Sequence, residues 1–305
     1  MDVLADVLEV TQMANTVLCH AEITVPWGIT VDPSAEAAVH VIERGSCFLR
    51  MEGRAPIRLS EGEILLVAPG SGHSISDTPD RPLLPMGEMF AEMARRTAAG
   101  EVEGAESTSI LCAKYRFGLP GDHPLVSRLP SLIHLRARDV ARSGQLQLLV
   151  QLLRIEAEVR GSGNELVVPR LVDSLLVFIL RAWLESESDL SASWFAALKD
   201  AGIGRALALI HREPHAGWTV QSLANRVGQT RATFARRFAM LVGETPMAYL
   251  ARWRICLAAK LIREGAATVE QAAYAAGYDS APAFSRAFKR QYGVPPTEFR
   301  AANTV

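Results

Sequence analysis

Several things are missing from this chain, and each absence narrows the reading. No stretch reaches about 18 consecutive apolar residues, so the sequence offers no membrane-spanning helix. Cysteine is scarce. Cys19, Cys47, Cys112 and Cys256 are the four, and no two form a C-x-x-C pair, which speaks against a disulfide scaffold or a structural zinc site. Their default role is that of small buried residues in a reducing compartment. Residues 1–9 carry Asp2, Asp6 and Glu9 but no Lys or Arg. A secretory signal begins with basic residues, so none is expected here, and a cytoplasmic location follows. Extended disorder is excluded by composition, with 49% hydrophobic and 21% charged residues. The 305 residues suit two domains better than one.

An excess of charge is missing only from the sum. Residues 1–200 hold 18 Lys+Arg and 27 Asp+Glu, a balance of −9, and residues 201–305 hold 14 and 6, a balance of +8. Together they give the −1 of the whole chain. A basic C-terminal third on an acidic body points that third towards a polyanion.

The chain changes texture twice. Val3, Leu4, Val7 and Leu8 make a short helical pattern at the start. From Val17 to Phe117, short apolar runs alternate with Gly, Pro and Asp, which predicts an antiparallel sandwich or barrel. Gly62 falls in a tight turn, and Pro69-Gly70 ends a strand. Residues 87–109 interrupt the pattern and read as a long loop with a short helix near "MFAEMARR". Helical periodicity returns at Ser143. One helix carries Leu146, Leu149, Leu152, Leu153, Ile155 and Val159, and a second is expected from Pro169 onward. Two adjacent apolar helices imply an interface, either with the sheet or with a second copy of the chain. Residues 186–193, "SESDLSAS", read as a polar linker.

The C-terminal third contains an internal repeat. Thr219, Ala224 and Gly228 recur 49 residues later as Thr268, Ala273 and Gly277. Phe234, Phe238, Gly243 and Pro246 recur 50 residues later as Phe284, Phe288, Gly293 and Pro296. Each copy reads as a helix, a tight turn at the glycine and a second helix, which is a helix-turn-helix unit. The alanine is small because a second helix crosses closely there, and the two phenylalanines, four apart, pin the second helix to the core. An amphipathic helix from Pro246 to Arg263 joins the copies. A plain duplicated bundle would not need the basic residues that the second helices carry: Arg231, Arg236 and Arg237 in one, Arg286, Lys289 and Arg290 in the other.

With these residues in register, "AAYAAGYDSAPAFSRAFKRQYGVPPTEFR" resembles the double helix-turn-helix domain of the AraC/XylS transcription regulators. "HPLVSRLPSLIHL" and "WFAALKDAGIGRALALIH" extend the resemblance to a branch with a cupin-type sensor domain. The expected fold is α+β: an N-terminal antiparallel, cupin-like β-barrel with flanking helices and a C-terminal all-α double helix-turn-helix domain. The expected boundaries are 1–190 for the sensor, 191–200 for a linker and 201–305 for the DNA-binding domain. The resemblance implies a sequence-specific transcription regulator, double-stranded DNA and RNA polymerase as partners, and a major groove for each recognition helix. Arg231, Ala232, Ala235 and Arg236 are the base-contact candidates in the first helix. Arg236 leads, because Arg can bond the two acceptors of guanine. In the second helix Ala281 and Pro282 lack hydrogen-bonding side chains, so contact falls to Ser285, Arg286 and Lys289, and this unit clamps more than it reads.

Cupin enzymes hold a metal through an H-x-H pair, a Glu and a later His. His40 and His73 stand in no such pair, so the alternative of a metal enzyme with an accessory DNA-binding domain is disfavoured. No enzyme activity, metal or cofactor is expected. Two readings of the sensor stay open. One is a small apolar or aromatic effector near His40, His73 and Trp27. The other is an oxidant acting on Cys19 and Cys112, with His20 beside Cys19. A homodimer is the further open partnership.

Overall fold

The computed structural model describes residues 2–117, 129–159, 161–186 and 194–303, and it describes no side chains in 11–17, 117 and 302–303. The described residues form two compact units. The fold is α+β, as the sequence implies.

The sheet-rich unit contains β1 (Gln12–Thr24), β2 (Gly28–Val31), β3 (Glu36–Arg44), β4 (Ser46–Arg50), β5 (Ile57–Ser60), β6 (Ile64–Val67), β7 (His73–Ser76), β8 (Leu84–Pro85), β9 (Ser107–Phe117) and β10 (Leu132–Leu135). They form two five-stranded sheets, in the orders β1-β9-β3-β6-β10 and β5-β4-β7-β2-β8. Of the sandwich or barrel that the sequence allows, the strands form the two-sheet sandwich. β8 departs from the antiparallel expectation, since it runs parallel to β2. Gly62 has φ 81° in the turn between β5 and β6, a left-handed conformation that suits glycine. Inward-facing Ile42, Leu65 and Ile110 pack with Ile29, Leu49, Leu59 and Ile75 to fill the core.

The outward set of the first sheet is buried as well, including Val39, Val41, Leu111, Ala113 and Tyr115. Three helices follow the sandwich: α3 (Ala137–Arg142), α4 (Gly144–Val159) and α5 (Asn164–Ser186). The Tyr115 hydroxyl donates to the Val172 carbonyl of α5 at 2.6 Å, so α5 covers that outer face. This helix starts five residues before the expected Pro169. Asn164 anchors its start through a bond from its side-chain amide to the Glu156 carbonyl (2.8 Å), and Pro169 lies inside the helix. The short helix expected near "MFAEMARR" is longer than expected, α2 (Met86–Ala98). Arg96 of α2 donates to the carbonyls of Val25 (2.5 Å) and Pro26 (3.0 Å), tying it to the β1–β2 corner.

The helical unit takes in segments that precede the expected start at 201. It includes α1 (Val3–Thr11), which was expected within the sensor, and α6 (Trp194–Lys199), which was expected within the linker. The reason is apolar. Val3, Leu4, Val7 and Leu8 of α1 are buried, and so are Trp194, Phe195 and Ala197 of α6. α1 packs on α7 (Ala201–Arg212) and on the long α10 (Pro246–Arg263). The rest of the expected polar linker, 187–193, lies outside the described residues, as does most of "HPLVSRLP".

Candidate nucleic-acid interface and effector cavity

The repeat read from the sequence is a repeat of structure. The first copy is α8 (Val220–Arg226) followed by α9 (Arg231–Val242), and the second is α11 (Val269–Ala275) followed by α12 (Ala281–Tyr292). α13 (Pro296–Asn303) closes the unit. Thr219 and Thr268 each start a copy with a capping box, reciprocated by Ser222 and Gln271. Thr230 and Ser280 cap the second helices, and left-handed Gly243 and Gly293 end them. Ala224 and Ala273 are buried at the crossings. Phe234 and Phe238 are buried with ring centroids 5.7 Å apart, and Phe284 and Phe288 repeat this at 5.4 Å. Gly277, at φ 73°, lies where an added Cβ would meet the Arg254 guanidinium at 3.2 Å.

The apolar side of each second helix is thus committed to the core, and its polar side is left to solvent. On α9, Arg231, Ala232 and Arg236 are exposed and Ala235 is half-buried. On α12, Pro282, Arg286 and Lys289 are exposed, with Ala281 and Ser285 half-buried. Among the described residues, no carboxylate lies within ion-pair distance of Arg231, Arg236, Arg286 or Lys289. Arg237 differs, since its Nε donates to Asp200 at 2.6 Å. Asp200 in turn accepts from the backbone of Gly202 and Ile203 as the N-cap of α7.

The sandwich holds a cavity of ≈ 240 Å³. Trp27, Ile29, Ile75, Phe90 and Ile110 form its apolar wall, and Cys19, Cys112, His40 and Lys114 add polar atoms. Strand register explains the grouping. β3 pairs with β9 so that His40 lies opposite Cys112, and both side chains point inward. His40 Nδ1 is 3.1 Å from Cys112 Sγ, and its Nε2 is 2.8 Å from His73 Nε2 across the two sheets. Burial, reinforced by His73, pushes the His40 pKa down to about 3, and burial pushes the Cys112 thiol up to about 12. Burial also lowers His73, while the Ser71 backbone bond opposes the shift. The imidazole and thiol are thus both neutral. Trp27 lines the cavity, and its buried indole N–H has no hydrogen-bond partner among the described residues.

The five sensor candidates do not all meet. Trp27, Cys19, His40 and Cys112 line the cavity. His73 instead lines a polar cleft of ≈ 600 Å³ with Arg50, Arg54 and Ser74, so the two histidines partition the interior. His20 does not serve Cys19. Its Nε2 lies 2.8 Å from Glu43 and 2.9 Å from the Ser109 hydroxyl. Sequence reasoning missed Ile29, Ile75, Phe90, Ile110 and Lys114 as lining residues. Alternation along β9 was the available signal for Ile110, Cys112 and Lys114, whereas Phe90 lies in the short helix expected near "MFAEMARR", whose packing on the sheet nothing local encodes. No group of three or more His, Cys, Asp or Glu able to hold a metal ion occurs among the described residues. None of their helices is long and apolar enough to cross a membrane.

Comparison with known proteins gives a consistent picture. A cupin family model matches residues 2–185, and a helix-turn-helix domain model matches residues 223–302. A protein of Streptomyces lividans described as an AraC-like transcription regulator is 32% identical, with 100% of each chain covered. One of the same description from Streptomyces antibioticus is 31% identical over 98% of each. The transcriptional regulator AlkR of Acinetobacter baylyi is 27% identical, covering 98% of this chain and 99% of its own.

Proposed function

Because the chain belongs to the family of AraC-like transcription regulators, we propose that it reads its DNA target chiefly through α9 and holds it with α12. The observation that carries this division is the chemistry of the two solvent faces. α9 offers Arg231 and Arg236 in its first two turns, exposed and without an acidic partner among the described residues. The same part of α12 offers Ala281, Pro282 and Ser285, with Arg286 its first cation. Arg236 bonds guanine through two donors, Ala232 and Ala235 permit close approach, and Arg286 and Lys289 meet phosphates. The test is a binding profile over a randomised target. Arg236→Ala flattens preference at one base pair by about 1–3 kcal/mol. Lys289→Ala weakens all sequences alike. An unaltered profile for Arg236→Ala counts against the assignment.

The effector of the sandwich is a small, largely apolar molecule bearing one hydrogen-bond acceptor. The cavity supports this reading through its apolar wall, its neutral His40 and the unsatisfied Trp27 N–H. Trp27→Phe, which deletes the donor and keeps a ring, weakens binding of an acceptor-bearing ligand but not of its hydrocarbon analogue. One observation favours oxidant sensing as a second reading: Cys19 and Cys112 line the same cavity. Under that reading a mild oxidant alters DNA affinity in the wild type and not in Cys19→Ser.

A further inference from the structure

The outer face of the second sheet carries a polar row that neither DNA binding nor the effector cavity uses. β4 pairs with β7 so that Arg50 lies opposite Ser74, and β2 pairs with β7 so that Thr30 lies opposite the same serine. Residues paired across strands share a face. Their chain neighbours Leu49, Ile75 and Ile29 pack in the core, so a guanidinium and two hydroxyls stand side by side on the outside. All three line the polar cleft of ≈ 600 Å³, a size within the range of about 300–1,000 Å³ usual for small-ligand sites. Arg50 is half-buried there. Its Nη2 donates to the Arg81 carbonyl at 2.8 Å, and its Nε is buried with no hydrogen-bond partner among the described residues. Arg81 itself is answered by Asp77, whose Oδ1 accepts from its Nε at 2.7 Å. Among the described residues, no carboxylate lies within ion-pair distance of Arg50. A half-buried cation without a counter-ion is costly, which marks the row as a seat for an anionic group.

The mouth of the cleft has the opposite sign. Asp32, two residues beyond Thr30, and Glu52, two beyond Arg50, are exposed lining residues with no cation in ion-pair distance among the described residues. Arg54 stands at the mouth as well and donates to the Ser131 hydroxyl at 2.8 Å. Val31, Met51 and Leu83 add apolar wall. We propose that this cleft binds a short apolar peptide as a zwitterion, with its carboxylate on Arg50, Ser74 and Thr30 and its ammonium between Asp32 and Glu52. Charge decides against a phosphate or another polyanion, which Asp32 and Glu52 would repel. Length decides for a dipeptide over a single amino acid. Two strand residues separate Thr30 from Asp32 by about 7 Å. Two peptide residues span about the same distance, whereas both charges of one amino acid sit on the same carbon's substituents. His73 lines this cleft, and its Nε2 lies 2.8 Å from the Nε2 of His40 in the effector cavity, so one hydrogen bond separates the two sites. The inference goes beyond the effector reading and does not depend on it.

Calorimetric titration of the full chain with dileucine tests it. The wild type is expected to bind dileucine with a Kd below about 1 mM. N-acetyl-dileucine and dileucine amide, each lacking one terminal charge, are expected to bind about tenfold more weakly, because each leaves a charged group of the cleft unanswered. Arg50→Gln is expected to abolish the difference between dileucine and its amide. Asp32→Asn/Glu52→Gln changes two exposed residues of the mouth, so it keeps the test valid if Arg50→Gln disturbs folding. That variant is expected to bind dileucine and N-acetyl-dileucine alike. An absence of heat with dileucine up to about 10 mM, or binding that neither cap and neither variant changes, overturns the proposal.

Discussion

Neutral buried histidines give this protein a pH dependence that can be worked out residue by residue. His211 is buried on α7, with its Nε2 2.7 Å from the Tyr249 hydroxyl and its ring stacked on Trp253 at 3.9 Å. Burial lowers its pKa to about 3, as it does for His40 in the sandwich. An unfolded histidine titrates near 6.5, so between about 6.5 and 3 the unfolded chain binds more protons than the folded one. Stability is therefore full above about 6.5 and declines as pH falls through that window, with a limiting slope of about 1.4 kcal/mol per pH unit for each such histidine. Asp6, 3.3 Å from His211, has its own pKa raised by burial, which opposes the trend only in the carboxylate range. Urea midpoints at pH 7 and pH 5 check this. The midpoint of the helical unit should fall at pH 5 in the wild type and fall less in His211→Gln. The thiols divide in the same way. Thiolate is the reactive form, and Cys112, pushed up to about 12, stays protonated at neutral pH, whereas Cys19 is exposed. Brief alkylation of the folded protein with mass readout should label Cys19 and spare Cys112. Equal labelling would contradict the burial of Cys112.

Single elements carry consequences that their own sequences do not announce. A fragment starting at Ala201 has both helix-turn-helix units, and on charge and periodicity alone it should fold and bind DNA. The structure argues otherwise, because such a fragment loses Trp194 and Phe195 of α6 and the whole apolar face of α1. Losing one buried aromatic side chain costs about 3–5 kcal/mol, comparable with the total stability of a small domain. The expected outcome is a fragment without a cooperative thermal transition, and adding α6 should recover only part of the loss. A sharp transition for the fragment at Ala201 would show that these helices are dispensable. The contrast marks what was legible. α8 to α12 were readable because caps, turn glycines and phenylalanine pairs all sit at local offsets. α1 was readable as a helix but not as a partner of α7 and α10, since nothing local encodes a contact partner 250 residues away. α2 was legible only in part: a short helix was expected near "MFAEMARR", but Gly87 near its start and a single buried residue, Met89, hid its full extent. The meeting of His40 with Cys112 and His73 depends on register between strands and between sheets, which periodicity in one strand does not reveal.

At the scale of the whole molecule, the division of charge sets the terms of DNA binding. If Arg286, Lys289 and Arg290 each neutralise one phosphate, the plot of log K against log salt should have a slope of about −2.7, and Lys289→Ala should reduce it by about one. A slope near zero would mean that these cations do not meet the backbone. The placement of α1 has a consequence of another kind, in the order of synthesis. The Val10 carbonyl accepts from Arg263 across 253 residues of chain, and Glu9 pairs with Lys260. A ribosome adding about 5–20 residues per second needs roughly 10–50 s to make that span. In sequence the sandwich falls between the two segments of the helical unit, so its strands are complete while Val3, Leu4, Val7 and Leu8 still have no surface to cover them. A helix made well before its partners is among the last to find its place, and throughout that interval its apolar face must be kept from other chains.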